Sequence, residues 1–276
     1  MTKITCLIDN TVQHASPFWG EHGLSLLIET DAGRLLFDTG QTEQVLAHNL
    51  NLLGDAPRAI TALALSHAHT DHTGGLNVAL ALKPGMPLYA NPDLFCPRYA
   101  IRDRKYRSIG LRMSRDELAR RVDLHLSATP VEIVPGVWTT GEIADRSELE
   151  GRSDRLVVSG DVGWQPDPYR DDMSLVMETT RGLAVVCGCC HAGLLNTLAQ
   201  VHRDFRKPIV AIIGGTHLVD ADAEHLQRVV RMLREVYGAP RLHLNHCTGE
   251  RALIALANAF DDRVQPFPAG TSLDLD

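Results

Sequence analysis

The chain has 276 residues, 44% of them hydrophobic and 22% charged, with a formal net charge of −7 at pH 7. That is enough chain for a sizeable core, with an ordinary globular composition. The acidic balance argues against a nucleic-acid partner, which needs a basic surface, and no apolar run approaches the length of a membrane span.

The opening "MTKITCLIDNT" reads as a strand and lacks the basic-then-apolar pattern of a signal peptide, so a soluble, cytoplasmic protein is expected. "LSLLIETDAGRLLFDTG" reads as a hairpin with Asp31-Ala32-Gly33 at its turn. "TEQVLAHNLNLLG" then reads as a helix stopped by Gly54, and "ITALALSH" as the next strand. Between about 91 and 167 the strand signals weaken and arginines and turn residues accumulate. One helix is expected there, over "SRDELARRVDLHL", and the stretch reads as a lid or insertion within a single domain spanning 1–276. Further on, "MSLVMETTRGLAVVCGC" reads as two strands about Arg181-Gly182. "KPIVAIIGGTHL", "AEHLQRVVRMLREVYG" and "PRLHLNHCTG" read as strand, helix and strand, with Leu226, Val229, Val230 and Leu233 at helical spacing. "GERALIALANAF" is a last helix. Hairpins first and strand–helix alternation later predict an α/β sandwich, sheets inside and helices outside.

Polar clusters at His67, at 189–191, at His217 and at His246 each follow an apolar, strand-like run. Strand ends along one edge of a sheet are where α/β folds gather ligands. The densest cluster is "LALSHAHTDHTGGL", residues 63–76. In an extended backbone His67 and His69 project to the same side. Asp71 and His72 follow as the chain turns, and Gly74-Gly75 permits tight geometry. Four ligand-type side chains thus converge on one pocket suited to zinc or iron. Cys187, Cys189 and Cys190 are too close together for a disulfide framework, and read as a metal or reactive site or as buried small residues. The histidines at 14, 48, 125, 202, 225 and 243 have no ligand-type spacing and read as surface or packing residues.

"SHAHTDHTGG" resembles the signature of the metallo-β-lactamase superfamily, and the resemblance spans essentially the whole chain. It implies a four-layer αββα sandwich with two mixed sheets and one or two divalent metal ions, zinc foremost, with iron or manganese as alternatives. Asp38 in "LLFDTG" matches the aspartate that supports the metal site from behind. "EHGLSLLIE", "RSIG", "TTGEI", "DDMSLVMETTRGLAVVCGCCHAGLLNT", "IIGGTHL" and "HCTG" resemble one branch, metal-dependent hydrolases that include dihydropterin ribofuranosylaminobenzene-phosphate synthase-like proteins. Carried over, His67 and His69 hold a first metal, Asp71 and His72 a second, and His246 completes the second site. Where relatives carry a histidine before the strand "SLVMET", this chain has Asp171, Asp172 and Met173. Cys189 stands where a bridging aspartate is usual, as a thiolate ligand or a buried neighbour, and His191 is expected to supply the missing ligand. His217 is open between ligand, acid–base group and hydrogen-bonded helix starter. The resemblance gives Glu21 and His22 a pocket role.

The resemblance implies a hydrolase in which the metal lowers the pKa of water to about 7, Asp71 orients or accepts a proton and His217 protonates the leaving group. In the segment 98–112 six cations, among them Arg107, stand in an otherwise acidic chain. They read as a solvated lid face or as recognition of a small anionic substrate, with Arg107 the expected contact. The rival readings are a pterin-type transferase with a diphosphate leaving group, and an iron protein with a redox or sensing role. A homo-oligomer is compatible with all three.

Overall fold

The computed structural model describes residues 2–151, 153–160 and 163–275. The first third contains β1 (Lys3–Ile8), β2 (Ser25–Thr30), β3 (Gly33–Phe37), α1 (Glu43–Asn51), β4 (Ala62–Ala64), α2 (Thr70–Thr73), α3 (Leu76–Leu82) and β5 (Pro87–Ala90). The middle contains β6 (Arg98–Arg102), β7 (Lys105–Ser108), α4 (Arg115–Ala119), β8 (Asp123–Leu126), β9 (Glu132–Val134), β10 (Val137–Thr139), β11 (Leu156–Gly160) and β12 (Gly163–Pro166). The remainder contains β13 (Leu175–Thr179), β14 (Gly182–Cys187), α5 (Leu194–Phe205), β15 (Ile209–Gly214), α6 (Ala223–Glu235), β16 (Arg241–Leu244), α7 (Glu250–Phe260), β17 (Val264–Pro266) and β18 (Ser272–Asp274). Among the described residues no helix is long and apolar enough to cross a membrane.

Two mixed seven-stranded sheets run β18-β1-β2-β3-β4-β5-β8 and β17-β16-β15-β14-β13-β10-β9. Their strands are apolar on both faces, as strands covered on both sides must be. In the first sheet Ile4, Leu26, Ile28, Leu35 and Phe37 meet Leu175, Met177, Val186 and Ile213 of the second sheet in one cluster. The alternate residues Leu7, Leu27, Leu36 and Leu63 pack outward on Leu46 and Leu50 of α1 and Leu76 and Leu80 of α3. In the second sheet Val176, Val185 and Ile212 pack outward on Leu198 of α5, Leu226 and Val229 of α6 and Leu256 of α7. Each such buried side chain contributes about 1.5–3 kcal/mol, and period-two alternation assigns it to one cluster or the other. The result is the αββα order of layers.

Register places the site. Among the parallel strands, Phe37 is level with Ala64 in the first sheet, and Cys187, Gly214 and Leu244 are level in the second. The loops that follow these five residues therefore emerge along one edge of the sandwich, and they carry Asp38, His67, Cys189, His217 and His246.

Two local expectations are corrected. The helix expected through Leu126 stops at Ala119, and Asp123–Leu126 is instead a strand in parallel register with β5. Helix α5 is a further helix that the pattern of elements left out. Within 91–167, β8 joins the first large sheet and β9 and β10 the second, while β6, β7, β11 and β12 form a four-stranded sheet of their own.

Candidate metal centre

The loop after β4 turns into the short helix α2 immediately beyond His69, which places His67 and His69 on one side of the turn and His72 one turn on. A side chain at Gly74 would overlap the Gln41 carbonyl, so the close packing of α2 on the 39–41 loop requires glycine there. That packing is fixed by Thr39 N–H donating to the His72 carbonyl at 2.7 Å.

Hydrogen bonds on the far side of each ring aim the inner nitrogens. The Ser66 hydroxyl donates to Asp38 Oδ2 at 2.6 Å and lies 2.8 Å from His67 Nδ1, so His67 carries its proton on Nδ1 and presents Nε2 as a lone pair. His72 Nδ1 donates to the same Asp38 oxygen at 2.7 Å, and His246 Nδ1 donates to Asn10 Oδ1 at 3.1 Å. The inner nitrogens then meet in pairs: His67 Nε2 with His69 Nδ1 at 3.1 Å, and His72 Nε2 with His246 Nε2 at 3.1 Å. Two nitrogens at about 2.0–2.1 Å from one tetrahedral zinc stand about 3.3 Å apart, so this is the spacing of ligands sharing an ion.

Cys189 joins the pairs. Its Sγ lies 3.3 Å from His72 Nε2. It belongs both to a group with His67 and His191 and to a group with His72 and His246, the donor atoms of each group lying within 4.8 Å of one another. Asp71 sits at the rim, with Oδ2 3.5 Å from His246 Nε2, 3.6 Å from His72 Nε2 and 3.4 Å from His22 Nε2.

Electrostatics divides the cluster. Burial pushes His67 and His191 well below the usual histidine range and His69 down to about 3, so these rings stay neutral donors. Burial also works against charge on His72, but the carboxylates of Asp38 and Asp71 outweigh it and hold this ring at about 9. Burial would raise Asp71, yet His72 and His246 draw it below the usual carboxylate range. Several buried atoms have no protein partner: His69 Nε2, both nitrogens of His191, and His217 Nδ1. Leaving such buried groups unpaired is costly. Nitrogen, sulfur and carboxylate donors together fit a borderline divalent cation such as zinc.

With this geometry in place, the chain matches the description "Metallo-beta-lactamase superfamily" over residues 19–198. The chain belongs to the metallo-β-lactamase superfamily. A 7,8-dihydropterin-6-methyl-4-(beta-D-ribofuranosyl)-aminobenzene-5'-phosphate synthase of Methanocaldococcus jannaschii is 30% identical over 281 residues, covering 97% of this chain and 95% of the relative. The structure of Tm1679, a metal-dependent hydrolase of the beta-lactamase superfamily, superposes with a TM-score of 0.84 at 25% identity, over 100% of this chain and 99% of that one. Zinc-bound PqqB from Methylobacterium extorquens has the same fold, with a TM-score of 0.56 at 13% identity, over 99% of this chain and 100% of that one. The chain is thus an enzyme of the metallo-β-lactamase fold, a superfamily that generally binds divalent metals.

Of the residues singled out in the sequence, His67, His69, Asp71, His72, Cys189, His191 and His246 come together in the metallo-β-lactamase cluster. His217 lies beside it, its ring 4.3 Å from that of His191. His22 reaches the rim from solvent, its side chain 63% exposed. Arg107 does not join: it lies on the exposed strand β7. Asp38 supports the site as expected. Asp172 accepts from Ala192 N–H at 2.8 Å, beside His191.

Other participants were not legible. Arg98 is buried, not a lid cation: it pairs with Asp93 at 2.6 Å, Asp171 at 2.7 Å and Asp167 at 2.9 Å. Asp171 in turn accepts from Ala68 N–H, between His67 and His69, at 2.7 Å. His225, read as a surface or packing residue, donates to buried Glu150 at 2.6 Å. Both line a cavity of about 490 Å³ whose wall includes Tyr169, His191, His217 and Arg155. The apolar runs before each cluster were the available signal for the ligands; nothing local marks these supports.

Proposed function

We propose that this chain is a dinuclear metal-dependent hydrolase acting on a small, anionic substrate. The carrying observation is that two donor groups meet in one sulfur, Cys189 Sγ. In this reading His67, His69 and His191 hold one ion, Asp71, His72 and His246 hold the other, and Cys189 is common to both. Sulfur beside imidazole favours zinc over manganese. Bound ions supply Lewis acidity toward a carbonyl or phosphoryl oxygen and make water acidic enough to react at neutral pH.

The protein's own groups supply orientation and protons. Asp71, held ionised beside His72 and His246, accepts a proton or fixes the attacking water by hydrogen bonding. His217, next to His191 on the cavity wall, protonates the leaving group. His22 at the rim contacts substrate. Arg107 is assigned to the anionic end of the substrate on charge alone: Arg98 is consumed by carboxylates, and Arg107 on β7, Arg102 on β6 and Arg104 in the turn between them stand outside the cluster. A reducing, cytoplasmic setting suits the six unpaired cysteines. Elemental analysis of wild type and His246→Ala tests the centre: two ions per chain falling to one supports it, and a wild-type protein that binds no ion overturns it.

A second reading has its own support, the 30% identity to the archaeal synthase along 97% of the chain. There the ions would hold a diphosphate leaving group during bond formation. Incubation with a pterin diphosphate and an aminobenzene acceptor separates the two, since condensed product favours the synthase and free pterin alcohol the hydrolase.

A further inference from the structure

Beside the histidine-rich groups lies a third cluster of donors, of which the hydrolase reading gives Cys247 no part. Cys189, His217 and Cys247 each offer an atom within 4.8 Å of the others. Both cysteines are buried and unpaired. Register explains the juxtaposition: Cys187, Gly214 and Leu244 end three neighbouring strands at one level, and the three donors follow two or three residues later.

Local contacts resemble those of a metal thiolate. His217 backbone N–H donates to Cys247 Sγ at 3.2 Å, the kind of outer contact that steadies a sulfur ligand. His217 is bent into the cluster by a left-handed backbone, with φ of 50°, a conformation that costs energy in a residue other than glycine and marks functional sites. Its Nδ1 is buried without a partner. Two sulfurs and one imidazole form a softer donor set than either histidine group, and soft donors select thiophilic ions.

We propose that Cys189, Cys247 and His217 form a separate cation position for a thiophilic divalent ion, zinc, cadmium or cobalt. It adjoins the histidine-rich centre and shares Cys189 with it, and to that extent rests on the metal-centre reading. An ion at this position takes the His217 nitrogen otherwise free for proton transfer. Thiophilic ions in excess therefore occupy it at the expense of the acid role of His217, while manganese stays with the imidazoles and Asp71.

Cobalt(II) reports the sulfurs directly, because thiolate ligands add a near-ultraviolet charge-transfer band. Metal-free full-length protein is reloaded with excess cobalt as wild type, Cys247→Ser, Cys189→Ser, the double variant and Cys190→Ser; Cys190 is buried nearby but belongs to none of the donor groups. The expected result is a band cut to about half in Cys247→Ser, lost in the double variant and unchanged in Cys190→Ser. A Cys247→Ser protein with native far-ultraviolet dichroism and undiminished charge transfer overturns the proposal. X-ray absorption on the cobalt-loaded wild type needs no variant: more than one sulfur neighbour per cobalt on average supports the proposal, and one or fewer, which Cys189 alone supplies, overturns it. Cobalt bound without Cys247 leaves the dinuclear reading standing, whereas no cobalt bound at all removes both.

Discussion

Asp38 Oδ2 lies 2.7 Å from His72 Nδ1, with both side chains fully buried, and the same oxygen accepts the Ser66 hydroxyl that lies against His67. One carboxylate thus sets the ring orientation of two histidines of the cluster. Its neighbourhood admits no slack, since a side chain at Gly188 would overlap Ser66. Asp38→Asn keeps the size and tolerates the left-handed backbone, φ 59°, but loses the negative charge. Metal affinity should fall about 10–100-fold, as measured by competition with a chromophoric chelator. Unchanged affinity would show that the hydrogen bonds do not set the ligands.

Stripping the metal should cost stability as well as activity. The protein without ions keeps buried imidazole nitrogens without a protein partner, and an ion that binds only the folded chain stabilises it by mass action. At free zinc 100-fold above Kd the gain is about 2.7 kcal/mol. Chelator-treated protein titrated with zinc in a thermal melt should show Tm climbing with concentration; a Tm that ignores zinc contradicts the proposed centre.

Arg98 is the largest fully buried side chain, and three carboxylates converge on it from positions 93, 167 and 171. Arg98→Met retains bulk and leaves those carboxylates uncompensated, for which the cost is about 3–5 kcal/mol. Urea unfolding measures it. Because Asp171 also holds the Ala68 amide between two histidines, metal release by chelator should quicken in the same variant.

Acid weakens the fold through His243. Burial, and then Arg241, hold this ring below the usual histidine range. The unfolded chain therefore takes up a proton near pH 6.5 that the folded one resists, and stability contributed by the neutral ring is lost as pH falls through that value. Wild type should lose more Tm between pH 7.5 and 5.5 than His243→Gln. Parallel losses in the two proteins would assign the acid sensitivity elsewhere.

Legibility followed the range of the interactions. The histidine and cysteine clusters could be read because each directly follows an apolar strand, and the two central sheets because alternation and turns are local. Asp123–Leu126 reads as helix because the Ser114 cap and the charges after it favour one, while its pairing with β5 depends on residues some 36 positions away, Pro87 meeting Asp123. Arg98 looked like its exposed basic neighbours because its partners Asp167 and Asp171 lie about 70 residues on. Cys247, one residue past the expected ligand His246, had no spacing to mark it, since its neighbours Cys189 and His217 come from other strands.

The centre straddles the chain: His72 and Cys189 are separated by 117 positions, His72 and His246 by 174. A ribosome releases the histidine-rich loop long before the residues that complete either group. No nascent fragment owns the full donor set, so in the proposed centre an ion meets all its ligands only once the second sheet has docked on the first. Which metal occupies the enzyme is then decided by the free ions available at that late moment, and an overproducing cell short of zinc should yield well-folded protein loaded with whatever ion was most abundant.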